Sequence, residues 1–183
     1  MIVRETSFTK TVIDLINAGS IGIIRTDTIY GIIARADNEH AVARVYETKG
    51  RTPSKSPIVL ISSIDQLFDH YQESTLAALH AMWPGKNSII LPSESAPSWI
   101  RRSNESVAYR MPNDTALREL ISVTGPLIAP SANPEGLEPA YSLQEAENYF
   151  KESVDFYVDG GVVEDHSPSR IYKLQEDKFE QIR

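Results

Sequence analysis

Short apolar, β-branched runs alternate along this chain with stretches whose apolar residues recur every three to four positions. That alternation points to an α/β fold. Strands are expected at Ile21–Ile24, Pro57–Ile61, Ser88–Leu91, Ser106–Arg110, Pro126–Ala129, Val154–Val158, Arg170–Leu174 and Phe179–Ile182. Between them, Phe8, Val12, Leu15 and Ile16 place a helix over Ser7–Asn17, with Gly19 as its C-terminal cap. Asn38 opens a second helix whose apolar stripe is Ala41, Val42, Val45 and Tyr46, and Gly50 ends it. A short helix is expected from Ser63 through Leu67 and Phe68, and another from Ser74 to Met82, stopped by Trp83-Pro84-Gly85. Asn113 or Asp114 starts the next, with Leu117, Leu120 and Ile121 inward, and Ser142 starts the last, through Ala146, Tyr149 and Phe150. Ser93–Asn104 and the Pro- and Gly-rich Ser131–Tyr141 read as loops. The elements interleave without strict βαβ regularity, and no repeat or linker divides residues 1–183. The expectation is one α/β domain built on a twisted mixed sheet flanked by helices.

Composition narrows the function classes. There is no cysteine, so disulfides and thiolate metal sites are excluded. The histidines at 40, 70, 80 and 166 lack ligand spacing, and His40, His70 and His80 fall on expected helices, so no metal site is expected. The segment MIVRETSFTK has no apolar core of a secretory signal, and no run approaches the ~20 apolar residues of a membrane span. The reading is a cytoplasmic protein with no membrane attachment. The net charge of −7 argues against a protein that holds nucleic acid through its overall field, so any polyanion site must be a local basic patch.

Three segments carry candidate chemistry. Thr26-Asp-Thr-Ile-Tyr-Gly31 follows a buried strand; its hydroxyls either line a cleft or close a plain turn through local bonds. Lys49-Gly-Arg51 with Lys55 gathers cations at a helix end. Lys49 suits the macrodipole there without any ligand, whereas Arg51 and Lys55 lie past the helix and can present donors to phosphate or carboxylate. Ala129-Pro-Ser-Ala-Asn-Pro134 exposes backbone N–H groups, a hydroxyl and an amide, as a phosphate-binding loop or as a turn. Arg110 ends a strand just before Pro112 and either pairs with an internal acid or grips a substrate carboxylate. Phosphate-loop and dinucleotide fingerprints are absent.

Taken in order, Thr26–Gly31, Ala41-Val-Ala-Arg-Val-Tyr-Glu-Thr-Lys-Gly-Arg51, Trp83-Pro-Gly85, Val107-Ala-Tyr-Arg-Met-Pro112 and Pro130-Ser-Ala-Asn133 resemble the YrdC/Sua5/TsaC family, in its short single-domain form. The resemblance implies a concave basic cleft on the twisted sheet. It implies a threonylcarbamoyl-AMP synthase, an enzyme that makes threonylcarbamoyl-AMP and pyrophosphate from L-threonine, bicarbonate and ATP. A tRNA-modifying threonylcarbamoyl transferase complex would then pass the group to adenosine 37 of tRNA. The family's K-x-R…S-x-N signature falls on Lys49, Arg51, Ser131 and Asn133. Lys49 and Arg51 would be catalytic and hold ATP phosphates, Ser131 and Asn133 would position the nucleotide, and Thr26, Thr28 and Arg110 would orient threonine. ATP enters as a substrate with Mg2+ held by phosphates and water, and no tightly bound cofactor is implied.

The chain departs from the family pattern at Ile33, where Gly is usual, and at Arg35, where Asp is usual. Pro134-Glu-Gly136 stands for the usual x-S-G, and Arg170 for a late Thr. Ile33 and Glu135 are the departures expected to bear on the pocket. Two other readings stand beside the synthase: a non-catalytic module binding tRNA or double-stranded RNA on the concave face, and a paralogue adenylating a different carbamate. The net charge and the lack of an aromatic stacking motif count against the first of these.

Overall fold

The computed structural model describes residues 2–175 and 178–183. In chain order the elements are β1 (Val3–Glu5), α1 (Lys10–Asn17), β2 (Gly22–Arg25), β3 (Tyr30–Arg35), α2 (Glu39–Lys49), β4 (Ile58–Leu60), α3 (Glu73–Met82), β5 (Asn87–Pro92), α4 (Ser98–Arg101), β6 (Ser106–Arg110), α5 (Thr115–Thr124), β7 (Leu127–Ile128), α6 (Leu143–Phe150), β8 (Phe156–Val158), β9 (Arg170–Gln175) and β10 (Lys178–Gln181). The strands join in one mixed sheet of order β1-β8-β2-β3-β7-β4-β6-β5-β9-β10. Four neighbouring pairs are parallel (β1/β8, β2/β8, β4/β6, β5/β9) and the other five are antiparallel.

Local chemistry sets the helix starts. Asn38 accepts from the Ala41 amide at 2.9 Å and Asp114 from the Leu117 amide at 2.9 Å, each filling an orphan donor of the first turn. Ser142 and Glu145 form a reciprocal capping box. Gly50 closes α2 at φ 60°, a conformation that favours glycine. α1 begins later than expected, because Thr9 rather than Ser7 is its cap.

Strand alternation divides the interior in two. On β3, Ile32 and Ala34 face one core, with Val42, Val45, Trp83, Tyr109 and Tyr157. Ile33 faces the other, with Val12, Ile16, Leu117, Ile121 and Phe156. Each aliphatic side chain so buried contributes about 1.5–3 kcal/mol relative to exposure.

Several expectations need correction. β1 and β3 fall on residues for which the sequence reading named no element, and α4 lies inside the expected Ser93–Asn104 loop. The helix expected through Phe68 is a single 3₁₀ turn, Ile64–Gln66, where Ser63 makes no side-chain cap. His70 therefore sits outside any helix. Ile33, expected to reshape the pocket, is wholly buried in the second core and does not line the cavity described below. Arg35 pairs with Asp37 on the surface, and no helix among the described residues is long and apolar enough to cross a membrane.

Candidate active site

The cavity of interest opens where the strands of one half-sheet meet two loops from the other. β6 shows how the period of two builds it: Val107 and Tyr109 enter the core, while Ser106, Ala108 and Arg110 face the cavity. Ile58, Ala108 and Ile90 stand in one cross-strand row on β4, β6 and β5 and form part of its floor. Its volume is about 510 Å³, within the range of small-molecule sites. Among the described residues the wall carries Arg51, Arg110 and Arg183 and no Asp or Glu.

The turn between β2 and β3 supplies Thr26 and Thr28, both buried at the cavity wall. The Thr26 hydroxyl donates to the Ile29 carbonyl at 2.7 Å, and the two threonine oxygens lie 3.1 Å apart. Between them Asp27 turns away from the cavity and places Oδ1 3.0 Å from Arg110 Nη2. Both side chains are about 95% buried, at 4% and 5% exposure. The contact is an ion pair whose angles fall outside those of a hydrogen bond, so both Asp27 oxygens lack a hydrogen-bond partner, as does Arg110 Nε. The internal acid that the sequence left open for Arg110 is thus Asp27, in a turn whose strand β3 is separated from β6 by β7 and β4.

The loop after β7 is stitched to the start of β3. Ile32 N donates to the Pro130 carbonyl at 3.0 Å, and Ala132 N to the Tyr30 carbonyl at 2.8 Å. A side chain at Gly31 would press on Pro130 O at 3.3 Å and Thr26 Cγ2 at 3.4 Å, so glycine permits this approach. Ser131 faces the cavity and its hydroxyl donates to Asn133 Oδ1 at 2.6 Å. Asn133 itself lies behind the loop, donating to the carbonyls of Pro134 at 3.0 Å and Leu137 at 2.7 Å.

Lys49 and Arg51, two residues apart, occupy different environments. Lys49 is 3% exposed, and Nζ donates to the carbonyls of Ser131 and Asn133 and lies 3.4 Å from Asn133 Oδ1. Burial first, then the charge of Arg51, push its pKa down to about 8 against the opposing pull of Glu135. Arg51 lines the cavity, anchored to its own loop through Nη2 to the Ser56 carbonyl at 3.0 Å. Lys55 pairs with Glu135 outside the cavity wall. The structure therefore brings Thr26, Thr28, Arg51, Arg110 and Ser131 to the cavity, while Lys49 and Asn133 hold the loop that carries Ser131.

Sequence reasoning missed part of the wall. Ser88 and Ser169 share a hydrogen bond of 3.0 Å on β5 and just before β9, and Arg183 donates to the Ser169 carbonyl at 3.2 Å. The β5/β9 pairing brings Ser88 and Ser169 together, and the β9/β10 hairpin returns Arg183 to them. Among the described residues no group of three or more His, Cys, Asp or Glu comes together.

A family model described as telomere recombination, that of Sua5, YciO and YrdC, matches residues 14–183. The chain belongs to the Sua5/YciO/YrdC family. Among its relatives is a threonylcarbamoyl-AMP synthase of Pseudomonas fluorescens Pf-5, 31% identical over 163 residues that cover 87% of this chain and 88% of the relative. The synthase of Pseudomonas syringae pv. syringae is 33% identical over 160 residues, 85% and 86% of the two chains. Among solved structures, P. abyssi Sua5 complexed with L-threonine superposes with a TM-score of 0.88 at 28% identity. That match covers all of this chain and 57% of Sua5, so the chain spans little more than half of that protein. E. coli YciO shares the fold, with a TM-score of 0.82 at 16% identity, over 100% of this chain and 93% of YciO.

Proposed function

We propose that residues 1–183 act as a single-domain threonylcarbamoyl-AMP synthase, a nucleotidyltransferase converting L-threonine, bicarbonate and ATP to threonylcarbamoyl-AMP and pyrophosphate. The observation that carries this reading is convergence. Residues of four separate family motifs, Thr26 and Thr28, Arg51, Arg110 and Ser131, meet in one cavity whose lining has no Asp or Glu among the described residues, in a chain about a third identical to proteins bearing that name.

The chemistry follows from the charges. The neutral amine of threonine takes up bicarbonate with loss of water to give a carbamate. A carbamate oxygen then forms a bond to the α-phosphorus of ATP, the bond from that phosphorus to the bridging oxygen breaks, and pyrophosphate leaves. Both reactants are anions, so fixed positive charge at the cavity wall offsets their repulsion and the charge that builds on the phosphoryl oxygens. Arg51 faces the cavity with donors left over from its loop contacts and takes this role. Ser131 and the backbone of its loop position the nucleotide. Lys49 and Asn133 act on ATP through that loop, which they hold in shape. Thr26 and Thr28 orient threonine, and Arg110, with Nε lacking a partner, presents a donor to the substrate carboxylate. No protein nucleophile is required, so positioning and electrostatics supply most of the acceleration. Among the described residues the wall has no Asp or Glu to hold Mg2+, so Mg2+ would arrive on the triphosphate.

The product is an activated acyl group, and the proposal includes its use at adenosine 37 of tRNA by a transferase complex, in the cytoplasm. In the test, purified protein receives ATP, Mg2+, bicarbonate and labelled threonine. Threonine-dependent pyrophosphate and adenylate are expected, and both disappear in Arg51→Ala. Turnover with another amine alone would favour a different carbamate. Salt-sensitive tRNA binding without turnover would favour the RNA-binding module.

A further inference from the structure

Glu135 joins the two loops that form one wall of the cavity. Its amide donates to the Lys49 carbonyl at 2.8 Å. One carboxylate oxygen accepts from the Thr52 amide and from the Thr52 hydroxyl at 3.0 Å; the other takes Lys55 Nζ. The carboxylate is held well below its ordinary pKa, first by Lys55 and then by the Thr52 amide, so it stays charged at neutral pH.

The far side of the same turn is held by aromatic contacts. Tyr46 donates to the Lys55 carbonyl at 2.6 Å, and the guanidinium of Arg102 lies 3.8 Å above its ring. Arg51 is 5.6 Å from that ring and donates to the Lys55 carbonyl at 3.3 Å and the Ser56 carbonyl at 3.0 Å. The oxygens that aim Arg51 into the cavity therefore belong to a turn that Glu135 clamps from one side and Tyr46 from the other.

We infer that Glu135 is a positioning residue for the phosphate-binding wall: its carboxylate locks the 52–55 turn, so that Arg51 meets the triphosphate already aimed. The same contact holds Lys55 outside the cavity wall, away from the ligand. The inference rests on the synthase reading, and it deepens that reading. Glu135 is partly exposed and its ion-pair partner Lys55 is mostly so, which makes the pair a surface one whose loss costs the whole fold little. It costs the ligand more, because a loosened turn must be ordered again on each binding event.

The test uses the full chain, with wild-type turnover measured first. Glu135→Ala is expected to raise KM for ATP about five- to tenfold, in line with the loss of a charged hydrogen bond. kcat at saturating ATP, KM for threonine and the melting temperature stay near wild type. Lys55→Met added to Glu135→Ala is expected to cause no further rise, because the two residues act through one contact. An unchanged KM for ATP would overturn the inference. So would a lower one, which would mean that freed Lys55 serves the ligand and that Glu135 competes for it. If wild type shows no threonine-dependent turnover, the synthase reading fails, and amide exchange at Thr52 decides the clamp by itself. Exchange about threefold faster or more in Glu135→Ala is expected, and an unchanged rate refutes the clamp.

Discussion

The two sides of the cavity are built differently. The threonine-rich turn and Arg110 rest on strand ends, and behind them lies a charge pair closed off from water. The Arg51 and Ser131 side consists of loops, held by side chains that bond to backbone oxygens. On the first side the sheet fixes position and charge is balanced locally. On the second, charge itself does the fixing: Lys49 serves as a tether and Arg51 as the exposed donor, although only Gly50 separates them. Two cations adjacent in a motif thus take different places, one inside the loop and one on the cavity wall.

Breaking the strand-built side should have the largest effect. Asp27→Ala leaves the Arg110 guanidinium buried without its counter-charge, and about 3–5 kcal/mol of stability is expected to be lost in urea unfolding. A loss below about 1 kcal/mol would show that the pair is well solvated. The loop-built side separates two kinds of damage. Lys49→Met strands two carbonyls and should cost about 1–3 kcal/mol together with most activity. Arg51→Met should abolish turnover while moving stability by no more than about 0.5 kcal/mol. Equal losses of stability in the two variants would erase the distinction.

A pH series sharpens the same contrast. Lys49 titrates at about 8 in the fold and near 10.4 in an unfolded chain. Between those values the folded chain sheds the proton that the unfolded chain keeps, so the Lys49 contribution to stability improves as pH rises. Activity should move the other way, because a neutral amine offers two donors to three oxygens and no charge. The measurements are kcat/KM and unfolding free energy across pH 7–10, and a flat activity profile would rule out the tether. Least affected should be Arg35→Ala, which removes a surface pair distant from the cavity. Stability should fall by less than about 1 kcal/mol, with turnover intact.

Much of this arrangement was legible because it is local. Asn38, Asp114 and Ser142 act on amides three residues away, and the strand ending at Arg110 carries its own alternation. β3 escaped notice because five of its six residues are buried, so no polar beat marks its two faces. The burial of Lys49 could not be read from its neighbours, since the oxygens that bind it arrive 82 and 84 residues later. Ser88, Ser169 and Arg183 carry no motif together, and sheet register alone makes them one patch. Ile33 shows the opposite hazard: a departure from a motif signals a changed site only when its side chain points there.

β7 contributes just two residues to the middle of a ten-stranded sheet, Leu127 paired with Arg35 and Leu60, and Ile128 with Ala34 and Val59. The pairing runs on past the strand, with Ile32 N donating to the Pro130 carbonyl and Ala132 N to the Tyr30 carbonyl, so the half-sheet bearing the threonines and the half bearing Arg110 are also joined through the loop of Ser131. The chain passes from β7 straight into that loop, so a substitution that displaces Leu127 or Ile128 should be felt first at the Ser131 wall of the cavity.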